Sequence, residues 1–268
     1  MKPKKSYGQH FLTSETTAQR IANSLEGRQA YDQVLEVGPG KGMLTKYLME
    51  QDFTLRVVEA DPDMVAYLQQ HYPDLGDAII GGNFLRLRLD EVMQEKPFAL
   101  IGNFPYNISS QILIKMVEYK AFIPELVGMF QLELAERVVA PPGSKVYGVI
   151  SVLVQAYYSG SLLFRVKKGS FFPPPKVESA VIRLTRKDDG PLGCDERLFR
   201  TVVKVAFGQR RKMLRNTMKS LVGKNTEVLK TPFFQQRPEQ LGVPDFVELT
   251  NLISAIKSEE LPEENENI

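Results

Sequence analysis

The sequence predicts an α/β domain built on a mainly parallel sheet, followed by a small all-helical domain. Three observations carry this prediction. Short apolar runs alternate with helical patterns through the first two-thirds of the 268 residues. Residues 187–193 are polar and hold Gly190, Pro191 and Gly193. Beyond them the pattern is helical, with Pro232, Pro238 and Pro244 as breakers. Such alternation builds parallel strands joined by right-handed helical crossovers. The expected domains are therefore residues 1–187 and 190–257. Residues 258–268 form an acidic tail that is expected to be disordered.

In chain order, 16–25 reads as a helix, 34–37 as a strand, 43–49 as a helix and 54–58 as a strand. Asp61-Pro62 opens the next helix, 62–70, because proline suits the first helical position. Strands follow at 78–80 and 98–101, then a helix at 109–118, a strand at 126–130 and a helix at 132–139. Strands 162–166 and 177–185 have no clear helix between them, which predicts an antiparallel edge. Phe171-Phe172-Pro173-Pro174-Pro175 lies between these two and is too stiff and donor-poor for a sheet interior.

Hydrophobic residues make up 43% of the chain, enough for a full core. The single cysteine, Cys194, excludes an intramolecular disulfide framework and a cysteine-based zinc site. Only His10 and His71 remain as imidazoles, so no metal centre is expected. No apolar stretch follows the N-terminal lysines and no run has the length of a membrane span. A cytoplasmic protein without a membrane partner is the expectation, and nothing points to an obligate dimer over a monomer.

Net charge is only +2. Five glutamates sit in residues 258–268, so residues 1–257 carry +7. Residues 197–219 hold eight Lys or Arg and no acid, and Lys2, Lys4 and Lys5 add a second cluster. Clustered cations suit a polyanion. A solvated helix face is the other reading, and the commoner one for most charge runs.

The strand 34–37 runs into Glu36-Val37-Gly38-Pro39-Gly40-Lys41-Gly42. Glycines there let the chain turn and a ligand approach closely. The spacing departs from G-x-G-x-x-G, which weakens a dinucleotide reading, and the Walker pattern is absent. Glu59 ends the second strand about 20 residues later, where an acid accepts hydrogen bonds from ribose hydroxyls. An ordinary strand-end carboxylate is its alternative. Asn83, after the third strand, has an amide that can both donate to and accept from an adenine edge. Asn103-Phe104-Pro105-Tyr106 ends the fourth strand. An amide, a proline that fixes φ and an aromatic face suit methylation of an amine on a flat base. The same four residues could form a plain strand-to-loop turn.

Five segments then occur in order: Gly8-Gln9-His10-Phe11-Leu12; the glycine loop; Asn103-Phe104-Pro105-Tyr106-Asn107-Ile108-Ser109; Phe172-Pro173-Pro174-Pro175-Lys176-Val177-Glu178-Ser179; and Ala206-Phe207-Gly208-Gln209-Arg210-Arg211-Lys212. Together they closely resemble the bacterial 16S rRNA adenine N6,N6-dimethyltransferase family, over nearly the whole chain. The resemblance implies a Rossmann-like, seven-stranded S-adenosylmethionine-dependent methyltransferase sheet with a helical C-terminal domain. It implies S-adenosylmethionine as cofactor. It also implies two adjacent adenosines near the 3′ end of 16S rRNA, in the immature small ribosomal subunit, as substrate.

Carried over, Gln9, His10, Leu12 and Asn103 border the cofactor, Gly38 and Gly40 pass beside its methionine part, Glu59 holds its ribose and Asn83 stands at its adenine. Many relatives have asparagine at His10, the family's usual aspartate is Asn83 here, and Phe104 replaces a commoner leucine. Lys167 stands where a proline is usual. Asn103 and the Phe104 carbonyl accept from the adenine amine, while Tyr106 and Phe171 sandwich the extruded base. Arg200, Lys204, Arg210, Arg211, Lys212 and Arg215 would hold RNA phosphates, with Gly208 separating two helices. Two rivals stay open: a large-subunit rRNA adenine methyltransferase with the same Asn-x-Pro-Tyr site, and a nucleic-acid-binding factor that needs no catalysis.

Overall fold

The computed structural model describes Lys4, residues 7–224 and residues 226–260. Among the described residues nine strands form in chain order: β1 (Phe11–Leu12), β2 (Gln33–Val37), β3 (Thr54–Glu59), β4 (Ile79–Gly81), β5 (Phe98–Asn103), β6 (Glu125–Gln131), β7 (Tyr158–Val166), β8 (Phe171–Phe172) and β9 (Ser179–Arg186). Seven of them make one sheet in the order β4-β3-β2-β5-β6-β9-β7. The first five of that order are parallel, while β9 runs antiparallel to both β6 and β7. The antiparallel edge follows from the missing helix between β7 and β9.

Strand β2 is buried at all five positions and β6 at its first six. Unbroken burial means both faces of the sheet are covered, which is why these strands read as continuous apolar runs. The helices that follow the strands are α1 (Glu15–Ala22), α2 (Thr45–Met49), α3 (Pro62–His71), α4 (Leu89–Val92), α5 (Ser109–Glu118), α6 (Leu132–Val139) and α7 (Val149–Gln155). Asp61 caps α3 by accepting from the Asp63 N–H at 3.1 Å, one residue before Pro62.

The chain divides into two compact units, residues 1–139 with 157–187, and residues 140–156 with 188–268. A single cut at 187 therefore becomes three, because residues 140–156 belong to the second unit. The reason lies in α7, which buries Ser151, Val152, Leu153 and Val154. Its segment is held within the second unit: the Gly143 N–H donates to the Glu239 carbonyl at 2.7 Å, and the Tyr147 ring meets Phe207 edge-on at 6.1 Å.

The rest of that unit comprises α8 (Glu196–Gly208), α9 (Leu214–Thr217), short 3-10 turns and α10 (Val243–Glu260). Helix α8 ends at Gly208, as its sequence suggests. Pro244 does not break a helix. It is the second residue of α10, where its missing N–H costs no hydrogen bond. Helix α10 also carries residues 258–260, so the expected disordered tail does not start at 258. Residues 261–268, like Lys2 and Lys5, lie outside the described residues.

Candidate active site

Parallel strands all end on one side of a sheet, so the loops after them converge there. The strand order changes direction between β2 and β5, which opens a crevice at their carboxyl ends. A cavity of about 490 Å³ fills it. It is lined by the glycine loop after β2, by Glu59 of β3, by Asn83 beyond β4, by Asn103 and the three residues after it, and by residues 7–12.

The cavity floor is acidic. Glu36 sits in the middle of the sheet at 1% exposure and accepts from the Thr45 hydroxyl at 2.7 Å. Burial pushes its carboxyl up to about 8, against a smaller pull from Thr45. Glu59, also buried, accepts from the Gly40 N–H at 3.1 Å and the Asp61 N–H at 2.9 Å. Burial raises its carboxyl too, with those backbone donors opposing. Gly40 reaches Glu59 from a φ of +55°, and a Cβ there would lie 3.0 Å from the Phe11 ring. Two carboxyls that resist ionisation when no cation is near fit a ligand bearing positive charge.

Glu36 also sets a pH dependence. Its raised value means that the folded chain holds a proton the unfolded chain has lost, between the ordinary carboxylate range and about 8. Stability of the cofactor-free protein therefore falls as pH rises through that window, by at most about 5 kcal/mol. Urea melts across the window are expected to show this slope, and Glu36→Gln to flatten it.

Asn103 closes the other side. Its Nδ2 donates to the His10 carbonyl at 3.0 Å, which a carbonyl can only accept. The amide is thus oriented, and Oδ1 is left to accept. His10 in turn donates from Nδ1 to the Pro173 carbonyl at 2.8 Å, and its ring stacks on Tyr106 at 5.4 Å and 28°. The Tyr106 hydroxyl bonds the Ser179 hydroxyl at 2.5 Å. One face of Tyr106 is therefore backed and its far edge anchored.

Phe104 is 1% exposed, with its ring between Gly102 and Gly128. A Cβ on Gly128 would lie 2.1 Å from that ring. Gly128→Ala is expected to cost about 1–3 kcal/mol and to slow turnover by displacing the Phe104 carbonyl. Adding Phe104→Leu should recover much of the loss, a coupling that a double-mutant cycle of melts and rates measures.

Phe171 is 4% exposed within the core beside its register partner Leu12 and does not line the cavity. On the β1–β8 ribbon its register partner Leu12, equally buried, does line the cavity. Gln9 lines the cavity, but both ends of its amide are engaged, with Asp61 at 2.9 Å and the Lys4 N–H at 2.8 Å. Asp61 is 1% exposed and also pairs with Lys4 Nζ at 2.7 Å. Burial raises its carboxyl, but the Lys4 and Gln9 donors hold it below the usual range. Asn83 lines the cavity with its oxygen accepting from the Leu85 N–H at 3.0 Å, which leaves one lone pair and the NH2. In the sequence Glu36 reads only as the start of the glycine-loop segment and Asp61 only as a helix start; nothing there announces their burial.

In the second unit, Arg210 is not a free cation. It pairs with Glu239 at 2.8 Å and donates to the Ser144 carbonyl at 3.1 Å. Lys204, Arg211, Lys212 and Arg215 are exposed, and Arg200 is half-buried.

Residues 1–238 match the family model described as ribosomal RNA adenine dimethylase. The chain belongs to the ribosomal RNA adenine dimethylase family. Two relatives named ribosomal RNA small subunit methyltransferase A agree. That of Bacteroides thetaiotaomicron is 52% identical, over 94% of each chain, and that of Parabacteroides distasonis 53%, over 93% of each. A dimethyladenosine transferase from Plasmodium falciparum shares the fold, with a TM-score of 0.77 at 22% identity, covering 92% of this chain and 98% of that one. So does the 23S rRNA methyltransferase ErmE, with a TM-score of 0.64 at 24% identity, covering 90% and 99%.

As an adenine dimethylase of ribosomal RNA, this chain is a methyltransferase that uses S-adenosylmethionine. The acidic floor and the glycine loop fit that cationic cofactor. Among the described residues, no helix is long and apolar enough to cross a membrane, and no cluster of potential metal ligands forms.

Proposed function

We propose that this dimethylase converts two adjacent adenosines near the 3′ end of 16S rRNA to N6,N6-dimethyladenosine, acting as a monomer on the immature small ribosomal subunit. The observation that carries the chemistry is the locked Asn103 amide, whose oxygen is left free at the cavity by the His10 carbonyl. S-adenosylmethionine, when bound, supplies a methyl group on a sulfonium. Glu59 would hold its ribose, Glu36 would offset its charge, and Gly38 and Gly40 would admit its methionine part.

The adenine N6 lone pair is delocalised into the ring and attacks poorly. Asn103 Oδ1 and the Phe104 carbonyl accept from its two N–H bonds and favour a nitrogen whose lone pair points out of the ring plane. Tyr106 holds the extruded base by its open face. This is catalysis by positioning and electrostatics, and no strong base is needed, because N6 becomes acidic once alkylated. After the first transfer one N–H remains, so a single acceptor suffices for the second.

Lys204, Arg211, Lys212 and Arg215, with Arg200, supply the proposed phosphate contacts of the second unit. Their contribution is expected to weaken with salt, with log affinity falling by about 0.7–0.9 per contact for each log unit of salt. Reversing the charge of Lys204 and Arg211 should flatten that slope in a binding titration. The small-subunit methyltransferases among its relatives favour the small over the large subunit as substrate. Incubating purified small and large subunits in parallel with labelled cofactor tests this: label confined to small-subunit RNA is expected, and label in large-subunit RNA would overturn the assignment.

A further inference from the structure

Phe172 is 61% exposed and Val177 44% exposed, in a molecule whose other phenylalanines are mostly buried. The exposure follows from strand alternation. On β8, Phe171 turns inward beside Leu12, so Phe172 must turn outward. Phe172 is the register partner of Phe11, and the next carbonyl, of Pro173, accepts from His10. Phe11 and His10 both line the cavity. Phe172 is not itself a lining residue, so its exposed ring stands beside the cavity, on the ribbon face it shares with Phe11.

Lysines flank it on both sides. Lys167, Lys168 and Lys176 are all exposed, and residues 167–177 contain no acid. Lys168 Nζ donates to the Lys176 carbonyl at 2.5 Å, which draws the two ends of this segment together around the phenylalanine. Among the described residues, none of the three lysines pairs with a carboxylate.

An exposed aromatic among unpaired cations is what a single nucleic-acid strand requires. Every base has a π-face to stack, and every linkage carries a negative phosphate. A protein partner docked by apolar contact alone would gain little from three lysines. We propose that this surface binds the nucleotide next to the extruded adenosine: Phe172 stacks its base, and Lys167, Lys168 and Lys176 hold the flanking phosphates. The inference rests on the rRNA adenine reading and adds a contact that places the target strand. An adenosine pulled from its stack leaves its neighbour's face bare, and Phe172 covers that face.

The experiment compares Phe172→Ser, Phe172→Trp and the triple change Lys167→Ala, Lys168→Ala and Lys176→Ala with the wild type. Cofactor affinity, KM and kcat for small-subunit RNA, and the salt dependence of RNA binding are measured in the full chain. Phe172→Ser is expected to raise KM for RNA by roughly five-fold or more, and Phe172→Trp to restore it. The triple lysine change should reduce the salt slope by about 2. Cofactor affinity should hold in all three, since neither Phe172 nor the three lysines line the cavity. An unchanged KM in Phe172→Ser, or an unchanged salt slope in the triple variant, overturns the inference while the wild type remains active. So would a wild type that dimerises through Phe172, seen as a concentration-dependent mass lost in Phe172→Ser with KM unaffected. A wild type that methylates no ribosomal RNA overturns the proposed function itself, and that result appears in the control arm.

Discussion

Asn103→Ala is expected to lower methyl transfer by about 10²–10³-fold, the usual cost of losing one preorganised polar contact to a reacting centre. Cofactor affinity should stay within a few-fold of wild type, because the glycine loop and Glu59 do not depend on this amide. Single-turnover rates and a separate cofactor titration distinguish the two effects. Asn103→Asp is the sharper comparison. Aspartate keeps an acceptor at the cavity but cannot donate to the His10 carbonyl, so two oxygens would face each other at the present 3.0 Å. A variant with the acceptor but without the lock should recover little activity. Full recovery would show that orientation by His10 contributes nothing.

The second large effect concerns Glu59. Its two oxygens already accept from the Gly40 and Asp61 N–H groups, at 3.1 and 2.9 Å. A carboxylate has lone pairs to spare for a ribose diol. Glutamine, although isosteric, must turn its NH2 toward one of those backbone donors. Glu59→Gln is therefore expected to disturb the loop as well as lose charge, and to weaken cofactor binding by about 10²-fold or more. The loss should appear as a raised cofactor KM, with kcat at saturation less affected. Calorimetric titration of the cofactor checks it directly. Equal binding in Glu59→Gln would remove Glu59 from the proposed ribose contact.

Much of this molecule was legible because buried parallel strands leave unbroken apolar runs. Strands β2, β3, β5 and β6 could be placed within a residue or two on that ground. The β1–β8 ribbon could not, since two residues on each side carry no period. Its absence from the sequence reading also hid which of two adjacent phenylalanines faces inward. Only the register Leu12 with Phe171 decides that, and it buries the ring expected at the base. The exchange of residues 140–156 into the second unit was hidden for a related reason: the contacts that place Tyr147 and Gly143 come from Phe207 and Glu239, far along the chain.

Charge was legible as a pattern and not as a partner. In the basic run 197–219, Arg210 is indistinguishable from Arg211 until Glu239 is seen beside it. The glycine loop, Glu59 and Asn103 stood out because their chemistry depends on local spacing after a strand. What spacing could not convey is that His10 orients Asn103 through its carbonyl and backs Tyr106 with its ring. That link joins a segment near the N-terminus to a motif some ninety positions later, and it exists only in the folded chain.

The central claim is that Asn103 and the Phe104 carbonyl present an adenine N6 for two successive methyl transfers. Nucleoside mass spectrometry of small-subunit RNA, taken through a time course with the purified protein and S-adenosylmethionine, tests it most directly. N6-methyladenosine should appear first and give way to N6,N6-dimethyladenosine, at two adjacent positions near the 3′ end, and Asn103→Ala should suppress both. Methylation at a ribose hydroxyl or a ring nitrogen, or unimpaired dimethylation by Asn103→Ala, would contradict the account.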